Sequence, residues 1–152
     1  MTSYYDTGLL LKLYTNESDA GAFHDFVVRR GEALAFTTMH HAECVSALRL
    51  KSFRGEADEE EVAAALRDIE SDLATGVLRA AAVDWDAAWA RCRVLSDAHA
   101  AVTGCRTPDA LHVAGALLLG AEELVTGDVR QAALARKAGL RAVNPLKKGP
   151  KR

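Results

Sequence analysis

Apolar positions along this chain alternate between short continuous runs and a spacing of three to four, as expected where buried strands follow amphipathic helices. Residues 3–6 read as a first strand, and 8–14 as a helix that gives way to the polar turn Thr15-Asn16-Glu17. Ser18 can cap a second helix running to Arg30 and stopped by Gly31, a position that favours a left-handed residue. A second strand over 33–37 leads into a helix that Thr38 can cap and that ends at Gly55. The helix over 58–75 opens on Asp58-Glu59-Glu60-Glu61, acids that complement a helix N-terminus, and carries Val62, Leu66, Ile69 and Leu73 at helical spacing before Gly76. A third strand over 78–83 and a helix over 86–100 follow, with Trp85 and Trp89 expected to pack inward. After a loop at 103–106, Thr107 is a suitable N-cap and Pro108 suits the first helical position, where its missing N–H costs nothing. The segment 110–119 is almost wholly apolar and should be a buried helix; a fourth strand over 123–126, a helix over 129–138 and a last strand over 140–143 complete the series.

Strands separated by helices imply parallel pairing, so the fold class expected is α/β, a three-layer arrangement with a mostly parallel central sheet flanked by helices. Ligands of such sheets bind beyond the carboxyl ends of the strands. Residues 1–145 are expected to form a single domain, and the basic stretch 146–152 a disordered tail.

Composition narrows the function. A net charge of -2 provides no global basic field, so any nucleic-acid contact must use a local patch, which argues against a simple DNA-binding module. Cys44, Cys92 and Cys105 form no C-x-x-C pair, so neither a disulfide framework nor a thiolate zinc site is indicated. Without an apolar run long enough to span a bilayer or serve as a leader, the expectation is a soluble, cytoplasmic protein.

Four carboxylates then stand out: Asp6 at the end of the first strand, Glu43 on the helix after the second, Asp109 just inside a helix start and Asp128 just after a strand. Each has an ordinary explanation. Asp128 with Gln131 makes an Asp-x-x-Gln capping pattern, Asp109 suits a first turn, and Asp6 could form a turn. Glu43 is the most telling, since it shares a helical face with Met39, Ala47 and Leu50, where an unpaired charge would be costly. A divalent ion would account for all four at once, because Mg²⁺ and Mn²⁺ prefer oxygen ligands and converging carboxylates otherwise repel. His40, His41 and Cys44 share a helix but make no His-Glu-x-x-His pattern, and His112 reads as a satisfied core histidine.

Tyr4-Tyr5-Asp6-Thr7, Ala42-Glu43, Arg106-Thr107-Pro108-Asp109-Ala110-Leu111-His112-Val113-Ala114, Val125-Thr126-Gly127-Asp128 and the ending Gly139-Leu140-Arg141-Ala142-Val143-Asn144-Pro145 together resemble the PIN-domain ribonucleases, in particular the VapC toxins of toxin–antitoxin pairs. The resemblance implies a PIN-like fold and an endoribonuclease whose Asp6, Glu43, Asp109 and Asp128 hold Mg²⁺ or Mn²⁺ and carry catalysis. It also implies roles for Thr126, two residues before the last acid, and Thr7, after the first, in shaping the site and contacting substrate. Arg106, beside Asp109, is the candidate for holding a substrate phosphate. The partners implied are an RNA substrate, a cognate VapB-type antitoxin and a second copy of the chain, with no membrane. Gly8 departs from the pattern, since such proteins often carry a serine or asparagine there that helps position the first Asp. The alternative is a catalytically inactive metal- or protein-binding regulatory domain of the same fold. Phosphatases and receivers that also place acids at strand ends fit less well, because no second acid lies two residues after Asp6.

Overall fold

The computed structural model describes residues 2–147; residues 148–152 of the expected tail lie outside them. Along the chain come β1 (Ser3–Tyr5), α1 (Thr7–Leu11), α2 (Ala20–Arg30), β2 (Leu34–Phe36), α3 (Thr38–Phe53), α4 (Glu59–Thr75), β3 (Leu78–Ala80), α5 (Trp85–Thr103), α6 (Thr107–Leu118), β4 (Glu123–Val125), α7 (Val129–Lys137) and β5 (Arg141–Val143). The chain divides into two compact units, one comprising residues up to Leu9 and from Val83 onward, the other Leu10–Ala82.

In the first unit β1, β4 and β5 form a parallel sheet in the order β1-β4-β5. Tyr5 pairs with Val125 and Val125 with Val143, so Asp6 and Thr126 stand one step beyond the paired strands, at their carboxyl ends. The ladder reaches that step through the backbone, with Asp6 N–H on Val125 O at 3.0 Å and Thr126 N–H on Val143 O at 2.9 Å. Tyr4, Tyr5, Leu124 and Val125 are fully buried. Helices α5, α6 and α7 pack on one another, and α7 packs on β5. The apolar run of α6 is buried from Ala110 through Ala116, as its composition requires. There His112 is the core histidine expected, with Nδ1 2.9 Å from Tyr4 Oη and Nε2 3.2 Å from Thr7 Oγ1.

In the second unit β2 and β3 pair in parallel, Leu34 with Leu78 and Phe36 with Ala80. Helix α4 packs on α3 and on β3, enclosing Phe36, Cys44, Leu48, Val62, Ile69 and Leu78. Its N-terminus closes as the acidic start suggested: Asp58 accepts the Glu61 N–H and Glu61 accepts the Asp58 N–H, both at 2.8 Å. Parallel pairing therefore holds throughout, with the strands of the described residues arranged as a sheet of three and a sheet of two.

Local expectations differ at several ends, each for a physical reason. Helix α2 begins at Ala20, and Ser18 does not cap it, because the preceding turn is organised by Lys12, whose ammonium binds Glu17 at 2.5 Å and Asp19 at 2.7 Å. Thr37, not Thr38, caps α3, and His40 closes the box by taking the Thr37 N–H on Nδ1 at 3.0 Å. Arg106, not Thr107, occupies the N-cap of α6, so Asp109 falls at the third helical position and accepts the Arg106 N–H at 3.2 Å. Helix α5 turns Ala88, Cys92 and Leu95 inward, which leaves Trp89 53% exposed rather than packed. On α3 the buried stripe is His40, Cys44 and Leu48, one residue round from the face expected; Glu43 is half-buried and Leu50 exposed.

Candidate functional site

Asp6 leaves β1 buried, and both of its carboxylate oxygens are engaged. Oδ1 accepts the Leu9 N–H at 2.7 Å, and Oδ2 accepts the Thr126 hydroxyl in a short hydrogen bond. The hydroxyl has a single proton, and having given it to Asp6, Thr126 Oγ1 accepts the Asp128 N–H at 3.0 Å. A fully buried threonine thus joins the ends of β1 and β4 and fixes where Asp128 emerges. Gly8 bears on this too: a Cβ there would stand 3.4 Å from Asp6 Oδ1, so glycine leaves that side of the carboxylate open. Leu9 and Thr126 position Asp6 without a side chain at residue 8.

Asp128 serves first as the N-cap of α7, its Oδ1 accepting the N–H groups of Arg130 at 2.8 Å and Gln131 at 3.0 Å. The reciprocal half of the Asp-x-x-Gln pattern does not form, since the Asp128 N–H is committed to Thr126. Among the described residues Asp128 Oδ2 and Asp109 Oδ1 take no hydrogen bond. Each of these acids thus offers one oxygen to a ligand while the other anchors a helix start.

Burial pushes the Asp6 carboxyl above its ordinary value; the bonds from Thr126 and Leu9 pull it back, and the charge of Asp128 pushes it up again. The Cys105 thiol is raised by burial, and it feels Asp109 and Asp128 in one direction and Arg130 in the other. The charge of Asp128 thus acts on both the Asp6 carboxyl and the Cys105 thiol, and that of Asp109 on the thiol.

The remaining expected residues lie as follows. Thr7 is buried with its hydroxyl on His112. Arg106 is exposed, its backbone N–H held by Asp109. Glu43 belongs to the second unit, next to Cys44, whose thiol is pushed up to about 12 by burial and then by the Glu43 charge.

Hard carboxylate oxygens, one of them on a buried acid that a neighbouring acid already disfavours, suit Mg²⁺ or Mn²⁺. Among the described residues, no group of three or more His, Cys, Asp or Glu side chains is gathered tightly enough to hold an ion. Mg²⁺ is commonly bound through one or two carboxylates, with water and substrate phosphate completing its shell, so the donor set fits that mode and not an all-protein cage.

The sequence reading gave Gln131 only a capping role and passed over Arg130. Gln131 is buried, and its Oε1 has no partner among the described residues. Arg130 crosses to the end of α5, its Cδ 3.5 Å and its Nε 3.7 Å from where a Cβ on Gly104 would stand. An arginine in the first turn of a predicted helix carried no signal.

No family model matches the chain, and no curated protein matches it. Among solved structures, the crystal structure of FitAcB from Neisseria gonorrhoeae is similar, with a TM-score of 0.58 and 15% identity over 94% of this chain and 97% of that one. At that identity the likeness is one of fold, and it bears out the PIN-like α/β architecture that the motifs led us to expect.

Proposed function

We propose that the chain is a metal-dependent endoribonuclease toxin that hydrolyses RNA phosphodiester bonds at Asp6, Asp109 and Asp128 and is neutralised by a cognate antitoxin. The observation that carries this reading is the Thr126 hydroxyl, which links Asp6 to the Asp128 backbone at the carboxyl ends of β1 and β4. Asp6 caps α1 through the Leu9 N–H and Asp128 caps α7, but neither helix start needs a buried hydroxyl that ties the one acid to the other. The motif resemblance supplies the reaction class. Glu43 enters as the fourth acid by that resemblance alone.

Bound Mg²⁺ or Mn²⁺ would lower the pKa of a water, orient it toward the phosphorus and offset charge there. The chain's own residues have simpler tasks. Asp109 Oδ1 and Asp128 Oδ2 are the free donors, and Asp6 supplies the buried negative charge. Thr126 holds Asp6 and Asp128 in register, and the Tyr4–His112–Thr7 chain of hydrogen bonds stiffens the segment that carries Asp6.

For the antitoxin and a second copy of the chain, the candidate surfaces are α2 and α3, where Val28, Val45, Leu50 and Phe53 are exposed. Among the described residues no helix is long and apolar enough to cross a membrane. The test of function is cleavage of total cellular RNA with Mg²⁺ or Mn²⁺, beside a chelator control and Asp109→Asn. The proposal expects chelator-sensitive cutting that the variant loses. A wild type that binds metal but cuts no RNA at any enzyme excess would instead indicate the inactive binding domain.

A further inference from the structure

We propose that Arg130 is the side chain that holds a backbone phosphate of the substrate beside Asp109 and Asp128, with its stem seated on Gly104. This rests on the nuclease reading above and adds the residue that would bind the polyanion. The observation behind it is a cation in an unfavourable place. Arg130 is the second residue of α7, in a first turn whose backbone dipole disfavours positive charge. Its own N–H is already used by Asp128 Oδ1 at 2.8 Å, which fixes its Cα beside that acid.

The side chain does not simply run into solvent. It lies along Gly104, the left-handed C-cap of α5 with φ +70°, its Cδ 3.5 Å and Nε 3.7 Å from where a Cβ would stand, an ordinary van der Waals contact. Arg130 forms no ion pair among the described residues, and the residue is exposed. A guanidinium whose stem lies along Gly104, whose backbone is tied to Asp128 and which has no ion pair of its own among the described residues, is set to receive an external anion. The planar guanidinium fork matches two oxygens of a phosphate and would meet its charge. Arg106 has no such seat, since the structure gives it only a backbone contact to the site.

The test asks whether the anion is an RNA backbone. Binding of a short fluorescent single-stranded RNA would be measured by anisotropy with Mg²⁺, in an Asp109→Asn background to prevent cutting. Arg130→Gln, Arg130→Lys and Arg136→Gln would be compared, the last removing an exposed arginine from the far end of the same helix. Circular dichroism would confirm that each folds. The proposal expects Arg130→Gln to weaken RNA binding about tenfold and lower the salt slope by about one, with Arg130→Lys intermediate and Arg136→Gln within about twofold of the parent. RNA binding by Arg130→Gln equal to that of Arg136→Gln overturns the contact, and the nuclease reading survives it if the wild type still cuts RNA. Weakened binding by Arg130→Gln alone, in a chain whose wild type never cuts, supports the phosphate contact and sinks the nuclease. No RNA binding by any form overturns both.

Discussion

Replacing Thr126 by valine removes one hydroxyl and keeps the shape of the side chain, so it isolates the link between the two strand-end acids. Two bonds are lost. The donation to Asp6 Oδ2 is a bond to a buried carboxylate, worth about 1.5–3 kcal/mol. The bond from the Asp128 N–H at 3.0 Å lies at a half-buried site that water can reach, so its loss costs nearer about 1 kcal/mol. Asp6 can soften the first loss by taking up a proton, since burial already pushes it that way. We expect the metal-free variant to be destabilised by about 3 kcal/mol at neutral pH, read from urea denaturation with the slope unchanged. The double variant Asp6→Asn/Thr126→Val should be less than additive by about 1–2 kcal/mol, because the amide has no charge to lose. A loss below about 0.5 kcal/mol, or strict additivity with Asp6→Asn, would refute the link.

Four further outcomes can be measured. Cys44 is buried with its thiol raised from 9.0 to about 12, so it binds its proton more tightly folded than unfolded; stability should fall as pH rises from about 9 to about 12, a decline that Cys44→Ala lessens in alkaline urea titrations. The Cys44 thiol should likewise react with a disulfide reagent at pH 8 only at the rate of unfolding, and rapid labelling of the native chain would show that it is accessible. His112→Leu fills much of the same space but leaves the Tyr4 and Thr7 hydroxyls without their partner, and should cost about 2–4 kcal/mol by thermal or urea unfolding; a near-neutral effect would mean that these contacts do not persist in solution. Glu43→Gln should reduce RNA cleavage at least about tenfold with little change in stability if it is the fourth acid, and cleavage equal to the wild type would remove it from the site.

Much of the fold was legible because its signals are local. Glycines at 31, 76 and 139 end or follow helices in the left-handed region, as their spacing implied, and the Asp58-Glu59-Glu60-Glu61 start closes as a reciprocal cap. The helix after Pro108 is buried because no polar face interrupts its apolar run. Local signals failed where a distant partner decides. Lys12 claims Asp19 and displaces the start of α2, and the offset of the α3 stripe turns Glu43 partly outward. The three acids of the first unit were legible as types and positions. That Thr126 joins two of them depends on strands 120 residues apart pairing in one register, which no window of sequence shows. Arg130 escaped for the same reason, since its seat is a glycine at the end of a different helix.

Mn²⁺ titration by calorimetry, comparing the wild type with Asp128→Asn, probes the proposed centre without depending on knowledge of the RNA target. Asparagine caps helices as well as aspartate, so the variant keeps the Arg130 and Gln131 bonds and loses only the charge. If Asp128 holds the ion, the variant should unfold at the same urea concentration as the wild type and bind Mn²⁺ at least about tenfold more weakly. Equal Mn²⁺ affinity in the two proteins would make Asp128 a helix cap and nothing more, and the metal-dependent mechanism built on it would fail.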